Sequence, residues 1–322
     1  MKTLVMGKDA FLVETVFREE YFTFFKTIDW DGVIYTEKDL TKDNASLFKD
    51  AEQVFSVGKI QGLSESVVKN LFPSLKRAFV AQGDSDTFSA FLKNGIKVYS
   101  GFAYGAVSVS EYVFAQTVLA NKGYFMAERL CRINYDAAKS FSECFPGNYD
   151  SVVGLLGLGV IGSKVAEKLK SLHVKVLAFD PYCTKERANS LNVSLVDIQT
   201  LFEKSDVISN HLDDKPLTEK IISYEYLSAM KEYAVMINTA IGRQIDENAL
   251  LKAFSEVPTR TAILDVDPSE LRKEFLSMPN VIVTPRLAMP SGEEIKREGD
   301  YLLSEYNRVE KGLPALYEIK EI

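Results

Sequence analysis

The stretch Val152–Gly162, VVGLLGLGVIG, decides the fold of this chain. Its first half is an apolar run typical of a buried β-strand, and it leads directly into three spaced glycines and an amphipathic helix. Gly157 permits a tight turn, Gly159 lets the backbone approach a pyrophosphate, and Gly162 lets the helix pack closely on the strand. Because a helix N-terminus also presents N–H groups to an anion, the stretch predicts a dinucleotide site.

The next apolar run, Val174–Phe179, ends at Asp180. An acidic residue at about this spacing from the glycines accepts hydrogen bonds from the adenosine ribose hydroxyls and repels a 2′-phosphate. We therefore predict NAD as the cofactor in preference to NADP, with Val160 and Ile161 beside it at the start of the helix. The alternative is a glycine-rich turn whose site stays empty.

Composition limits the class of protein. The chain has 322 residues, of which 46% are hydrophobic, and this suffices for two ordinary domains. The net charge is −7 without a basic stripe, so nucleic acid is not expected as a partner. No signal peptide and no apolar run of roughly 20 residues is apparent, so no membrane span is expected. Three cysteines without CxxC spacing predict reduced thiols in the cytoplasm and no metal site: Cys131, Cys144 and Cys183.

Short apolar runs alternate with helical patterns along the whole chain, which predicts βαβ units and parallel sheets. The predicted strands of the first half are Thr3–Met6, Gly32–Tyr35, Gln53–Val57, Ala78–Ala81 and Ile96–Tyr99. The six predicted strands of the second half are Val152–Gly157, Val174–Phe179, Val207–Asn210, Ala234–Asn238, Ala262–Val266 and Val281–Thr284. One long helix is expected from Ser108 to about Arg129, and a charged amphipathic helix from Ser291 to Lys311.

These patterns predict an α/β protein with two doubly wound parallel-sheet domains. Residues 106–289 would form a Rossmann domain, and residues 1–105 with 290–322 a discontinuous, flavodoxin-like domain. The last helix would return from the finished Rossmann domain to pack on the first domain.

Further motifs lie before and after the glycines. They are Asp206–Leu212 with Pro216 and Thr218, then Met236–Leu250, and, before the glycines, Ser108–Glu111. Together these residues resemble the D-2-hydroxyacid dehydrogenase family, most strongly from residue 108 to about residue 288. The resemblance implies an NAD-binding domain, a substrate or catalytic domain built from residues 1–105 with 290–322, and a small anionic substrate.

The resemblance also implies a homodimer formed through the NAD-binding domains, for which the apolar helix Tyr112–Ala120 is suited. It places a further set of residues beside the cofactor: His211, Leu212, Thr218, Thr239, Ala240, Ile241 and Asp265. For His211 the alternative is an ordinary core histidine.

The chain departs from the family at two of its three catalytic positions. The substrate-binding arginine is replaced by Ile241, the acid–base histidine by Arg286, and only the glutamate that orients this histidine is kept, as Glu270. A histidine that titrates near neutral pH suits the proton transfer that accompanies hydride transfer, so its loss matters. Neither Arg243, two positions late, nor His173, which precedes a strand, replaces a missing group.

The arginine at position 286 cannot donate a proton usefully, but it can bind a carboxylate or phosphate through two hydrogen bonds. One interpretation is a simple ion pair between Arg286 and Glu270. The other is that Arg286 holds the substrate anion while Glu270 or Tyr104 handles the proton. For Tyr104 the alternative is a buried loop aromatic that only packs. The loop Ala81–Asp86 resembles the family segment that holds a substrate carboxylate. Its aspartates indicate either a helix N-cap or a different substrate.

Three functions remain open at this point. The first is an NAD-dependent oxidoreductase with an altered active site. The second is a catalytically inactive NAD-binding pseudoenzyme that acts as a sensor or binds a partner. The third, a structural protein that binds no nucleotide, is disfavoured by Asp180 and the glycines.

Overall fold

The computed structural model describes residues 2–82, 85–240, 242–267 and 271–320, and for Ser85 and Phe102 the backbone alone. It divides into two compact units. Unit 1 comprises Met1–Gly105 and Pro290–Ile322, and unit 2 comprises Ala106–Met289.

Unit 1 is built on one central sheet with helices on both faces. Its elements are β1 (Thr3–Gly7), α1 (Ala10–Val16), α2 (Glu19–Thr27), β2 (Trp30–Thr36), α3 (Ala45–Phe48), β3 (Gln53–Val57), α4 (Glu65–Leu71), β4 (Arg77–Ala81), α5 (Ser85–Leu92), β5 (Lys97–Ser100), α14 (Lys296–Glu310) and β13 (Glu318–Ile319). The strand order is β2-β1-β3-β4-β5-β13. The first five strands pair in parallel, which confirms the predicted flavodoxin-like fold.

The strands of unit 1 are apolar on both sides because helices cover both faces of the sheet. One face is packed with aromatic rings, including Phe55 stacked on Phe79 with 4.8 Å between ring centroids, and Tyr306 of α14 closes this layer. The predicted C-terminal helix begins later than expected, because residues 292–295 form a 3₁₀ turn before α14. The edge strand β13, which pairs antiparallel with β5, was missed because two residues carry no periodicity.

Unit 2 is built on a seven-stranded, wholly parallel sheet. Its elements are α6 (Gly105–Ala120), α7 (Tyr124–Cys131), α8 (Tyr135–Ser142), β6 (Tyr149–Leu156), α9 (Val160–Leu169), β7 (His173–Phe179), α10 (Lys185–Ser190), β8 (Val193–Leu195), α11 (Ile198–Lys204), β9 (Val207–Asn210), α12 (Tyr224–Ala229), β10 (Val235–Asn238), α13 (Glu247–Glu256), β11 (Thr261–Asp265) and β12 (Val281–Thr284). The strand order is β8-β7-β6-β9-β10-β11-β12. Strands β7 and β8 are therefore added on one side of β6, and β9 to β12 on its other side. This arrangement confirms the predicted Rossmann fold.

Two predictions for unit 2 were wrong in detail. The single helix expected from Ser108 to about Arg129 is two helices, α6 and α7, separated at residues 121–123. Gly123 has a φ of +65°, and the ring of Phe145 packs directly against its Cα, so only glycine fits there. The sheet has seven strands instead of six, because the three-residue β8 is too short to show a pattern.

Among the described residues, no helix has both the length and the apolar character needed to cross a bilayer.

Candidate functional site

The predicted glycine turn joins β6 to α9 in unit 2. Gly157 has a φ of +88°, and a Cβ there would lie 2.8 Å from the carbonyl oxygen of His211. A Cβ on Gly162 would overlap the carbonyl oxygen of Gly157, so the helix can approach the turn this closely only through glycine. A Cβ on Gly159 would instead meet no atom within 4 Å. The turn is thus tightly packed at both ends and open at its middle glycine, where α9 begins with exposed Val160 and half-buried Ile161.

Asp180 follows β7 and faces this turn. One carboxylate oxygen accepts a hydrogen bond from the Leu158 amide at 2.7 Å, and the other accepts from the amides of Tyr182 at 2.9 Å and Cys183 at 3.1 Å. The carboxylate is therefore held at the rim of the turn. A carboxylate has about four acceptor positions, so it can still bind a ribose hydroxyl.

Arg187 adds a cation to the same rim, which the sequence did not indicate. Its guanidinium donates to the carbonyl oxygen of Leu158 at 3.1 Å and to the Ser163 hydroxyl at 3.0 Å. An arginine held beside a helix N-terminus reinforces the preference of that terminus for an anion.

His211 lies directly below the glycine turn. Its backbone amide donates to the Leu156 carbonyl at 2.7 Å, and its side chain is 9% exposed. Burial lowers the pKa of His211 to about 4, because the charged imidazolium is disfavoured away from water. The imidazole is therefore neutral at physiological pH. Neither ring nitrogen has a hydrogen-bond partner within the described part of the chain.

The carboxyl ends of β9 and β10 are joined by a pair of buried amides that the sequence reading did not single out. The Asn210 side chain donates to that of Asn238 at 2.9 Å, and the Asn238 oxygen also accepts from the Ala240 amide at 3.3 Å. Asn210 in turn accepts from the Leu212 amide at 3.2 Å. These bonds fix the loops that carry the predicted cofactor-binding residues Leu212, Thr239 and Ala240.

Thr218 lies farther along the loop after β9. Its hydroxyl donates to the carbonyl oxygens of Asp213 at 2.6 Å and Lys215 at 2.9 Å. These contacts close the loop on itself.

Asp265, at the end of β11, is almost fully buried, and its two oxygens organise the segment after β12. One oxygen accepts from the Thr284 hydroxyl at 2.6 Å and the Leu287 amide at 2.7 Å, and the other accepts from the Ala288 amide at 2.8 Å. Arg286, inside this segment, is exposed and has a φ of +55°. The segment in which the family's histidine is expected is therefore firmly held, and it carries an arginine.

Two of the predicted catalytic positions, Ile241 and Glu270, lie outside the described residues. Arg243, the nearby arginine, forms an ion pair with Asp214. The chain has only two histidines. His173 is exposed beside Tyr149 at the start of β7, on the edge of the sheet opposite to the glycine turn.

Tyr104, the remaining predicted catalytic residue, lies in unit 1. It is buried, and burial together with the nearby Glu298 carboxylate raises the pKa of its hydroxyl well above the ordinary range. Gln82, the last described residue before the gap at 83–84, donates its amide to the same Glu298 at 2.6 Å. Of the predicted loop, Asp84 lies outside the described residues, and Asp86 faces Lys59 at 3.8 Å.

Across the described ranges, no cluster of three or more histidine, cysteine or acidic side chains is placed to hold a metal ion.

Residues 128–288 match the family model described as D-isomer specific 2-hydroxyacid dehydrogenase, NAD binding domain. The chain is 31% identical over 253 residues to the glycerate dehydrogenase of Methylorubrum extorquens, which covers 75% of this chain and 78% of that protein. It is 30% identical over 234 residues to the D-3-phosphoglycerate dehydrogenase of Archaeoglobus fulgidus, which covers 72% of this chain. That alignment spans only 44% of the longer archaeal protein.

The fold agrees with these matches. A D-isomer specific 2-hydroxyacid dehydrogenase from Lactobacillus delbrueckii ssp. bulgaricus, solved with NAD, superposes with a TM-score of 0.76 at 24% identity. The superposition covers 99% of this chain and 100% of that one. The open middle glycine and the carboxylate of Asp180 suit the same cofactor, so the predicted NAD-binding domain is confirmed. The chain belongs to the family of D-isomer-specific 2-hydroxyacid dehydrogenases.

Proposed function

We propose that the protein is an NAD-dependent oxidoreductase that acts on the CH–OH group of a small anionic hydroxy acid, or on the corresponding oxo acid, with an altered active site. The observation that carries this proposal is the glycine turn of residues 157–162, closed at both ends, open at Gly159 and joined to Asp180. The similarity to glycerate and phosphoglycerate dehydrogenases supports a substrate of this class.

Each part of unit 2 has a defined task in this proposal. The backbone amides at the start of α9 bind the pyrophosphate, and Asp180 binds the adenosine ribose. The buried, neutral His211 supports the turn without adding charge. Bound NAD supplies the acceptor or donor of the hydride. Of the other predicted cofactor-binding residues, Leu212, Thr239, Ala240 and Asp265 lie at the carboxyl ends of β9 to β11, where doubly wound sheets bind their ligands.

The substrate side is proposed for unit 1. The carboxyl ends of its parallel strands carry Lys8 after β1 and Lys59 after β3, and such an edge suits an anion. Tyr104 keeps its proton at neutral pH and can serve as a hydrogen-bond donor. Arg286 would bind a carboxylate, and Glu270 or Tyr104 would handle the proton.

The competing function is a catalytically inactive NAD-binding protein. The observation in its favour is that the segment held by Asp265 presents Arg286 in place of an imidazole, while the only buried histidine is neutral and lies below the turn. A positioned general acid or base contributes about 10²–10⁴-fold to a rate, so its loss can abolish measurable turnover.

Two further features are part of the proposal. We propose a homodimer through unit 2, with the helix α6 in the contact, and a cytoplasmic location. The location is supported by the three cysteines, all of which are free thiols.

Fluorescence titration with NADH tests the cofactor, and a panel of 2-oxo acids with NADH, or 2-hydroxy acids with NAD⁺, tests the reaction. We expect NADH binding and turnover of at least one acid. Binding without any turnover would favour the inactive alternative. The double substitution Ile241→Arg with Arg286→His then asks whether the lost chemistry can be restored.

A further inference from the structure

Glu298, in the first turn of α14, is the most deeply buried of the described acidic residues of unit 1, with 0% of its surface exposed. Buried carboxylates are normally paired with a cation, because burial of an unpaired charge is costly. No cation in the described part of the chain forms an ion pair with Glu298. Its surroundings are Gly101, where a Cβ would lie 2.9 Å from the Glu298 Cγ, and the side chain of Leu302.

The carboxyl group contacts two polar groups from distant parts of the chain. Oε1 accepts a hydrogen bond from the backbone amide of Gln82 at 2.6 Å, and the Tyr104 hydroxyl lies beside the same carboxyl. Oε2 accepts no hydrogen bond of ordinary geometry from any described residue. The Glu298 carboxyl therefore links the residue after β4 to the turn that follows β5.

Among the groups that are described, the Gln82 amide, the Gln82 side chain and the Tyr104 hydroxyl all favour the charged form of Glu298, but burial outweighs them. The pKa of Glu298 is consequently raised to about 7. Of the charged groups on the neighbouring elements, Arg77 pairs with Glu310, Lys296 with Glu293, and Asp300 with Arg18. Tyr99 lies near Glu318, and Glu14 and Lys97 are exposed. Arg297, next to Glu298 in sequence, is half-buried, and one of its guanidinium nitrogens has no hydrogen-bond partner among the described residues.

The contact with Gln82 fixes an unusual backbone. Gln82 has a φ of +50°, a conformation that is unfavourable for a residue other than glycine. Its position directly after β4 lies beside Gly58, whose amide donates to Ala81 at 2.8 Å, and Gly101, whose amide donates to Val80 at 3.1 Å. This is the edge at which parallel sheets bind ligands, and a negative charge there opposes an anionic ligand.

Resting on the function proposed above, we propose that Glu298 is a positioning residue for the anionic substrate. It holds Gln82 and Tyr104 at the carboxyl end of β4, and the substrate carboxylate binds best when Glu298 carries a proton. Protonation removes the negative charge that repels the substrate. The carbonyl oxygen of the protonated carboxyl can still accept the hydrogen bond from the Gln82 backbone amide.

The test follows substrate affinity as a function of pH. The KM for the best 2-oxo acid of the panel, and the Kd of oxalate measured by calorimetry with NADH present, should rise about tenfold from pH 6 to pH 8, with kcat changing little. In Glu298→Gln, which keeps an acceptor oxygen but cannot ionise, both values should stay low across this range. The Kd of NADH should be the same in both proteins.

Glu305→Gln is the matched control. Glu305 is also buried on α14, with 1% exposure, and also accepts a backbone amide, that of Leu316 at 2.7 Å. This variant should keep the wild-type pH profile. Should Glu298→Gln fail to fold, Tyr104→Phe removes a hydroxyl that favours the ionised carboxyl, so the midpoint of the profile should move to higher pH.

A tenfold rise that persists in Glu298→Gln, or an unmoved midpoint in Tyr104→Phe, would overturn the proposal. Failure of the proposed function would look different. The wild-type protein would then bind NADH but neither bind oxalate nor reduce any oxo acid at either pH, and this result would overturn both.

Discussion

Burial of Glu298 makes the stability of unit 1 depend on pH in an unusual direction. The pKa of its carboxyl rises from an ordinary value near 4.5 to about 7 on folding. The folded state therefore holds a proton that the unfolded state has already released. Because stability falls with pH wherever the folded state binds more protons, unit 1 should lose stability as the pH rises through this window. Glu298→Gln should abolish this loss.

The size of the effect follows from the two pKa values. A difference of one pKa unit corresponds to 1.36 kcal/mol, so the rise from 4.5 to about 7 corresponds to about 3 kcal/mol between low and high pH. This is a large share of the 5–15 kcal/mol by which domains are typically stable. We expect Glu298→Gln to match the wild-type protein near pH 4, below the unfolded pKa, and to exceed it by about this amount near pH 8.

The assay can be confined to unit 1, because the only tryptophan of the chain, Trp30, lies in β2. Urea unfolding followed by Trp30 fluorescence at a series of pH values gives the free energy of unfolding for each variant. Glu305→Gln serves again as the control and should retain the wild-type slope. The reasoning is refuted if wild type and Glu298→Gln show the same dependence on pH between about pH 5 and pH 8.

Three further predictions concern unit 2. The pKa of His211 is lowered to about 4, so its contribution to stability, complete above about pH 6.5, should be lost as the pH falls toward 4, and His211→Leu should remove this slope in hydrogen exchange of unit 2 peptides. Gly159→Ala should weaken NADH binding at least about tenfold with little change in melting temperature. Gly162→Ala should lower both the affinity for NADH and the melting temperature. Fluorescence titration measures the affinity, and calorimetry measures the melting temperature. Asp265→Ala leaves three donors without their acceptor and should destabilise unit 2 by about 3 kcal/mol in chemical unfolding, a result that an unchanged midpoint would contradict.

The glycine turn was predictable because its causes are local. Gly157, Gly159 and Gly162 lie within six residues; steric contacts of the strand–turn–helix geometry require Gly157 and Gly162, and Gly159 leaves the middle of the turn open. The same holds for the alternation of strands and helices, from which both sheets and their parallel pairing followed. The order of the sequence motifs predicted the site residues at the carboxyl ends of β9 to β11. It did not predict the contacts of their side chains.

The errors in the fold have equally physical reasons. Residues 121–123 interrupt a continuous helical pattern, and the pattern alone does not show that Phe145 packs against Gly123 and requires glycine there. The strands β8 and β13 have three and two residues, too few for the alternation that identifies a strand. They form because a neighbouring strand offers unpaired backbone groups.

Glu298 shows what periodicity cannot reveal. Its position suits an exposed first turn of a charged helix, where acidic residues are common. Its burial depends on Gln82, which is 216 residues away in sequence, and on Tyr104. No local signal distinguishes it from its half-buried charged neighbours on α14, Lys296, Arg297 and Asp300.

The sequence predicts that the chain differs from its family at two catalytic positions, and the structure describes the surroundings of one of them, Arg286. The segment after β12 is held through the Thr284 hydroxyl and the amides of Leu287 and Ala288, all bound by Asp265. None of these bonds involves the side chain at position 286. The glycine turn likewise depends on backbone geometry. These contacts therefore place no demand on the side chain at position 286. Replacement by Arg286 changes the chemistry available there and leaves these supporting contacts in place, so the reaction must be established by turnover rather than by similarity of fold.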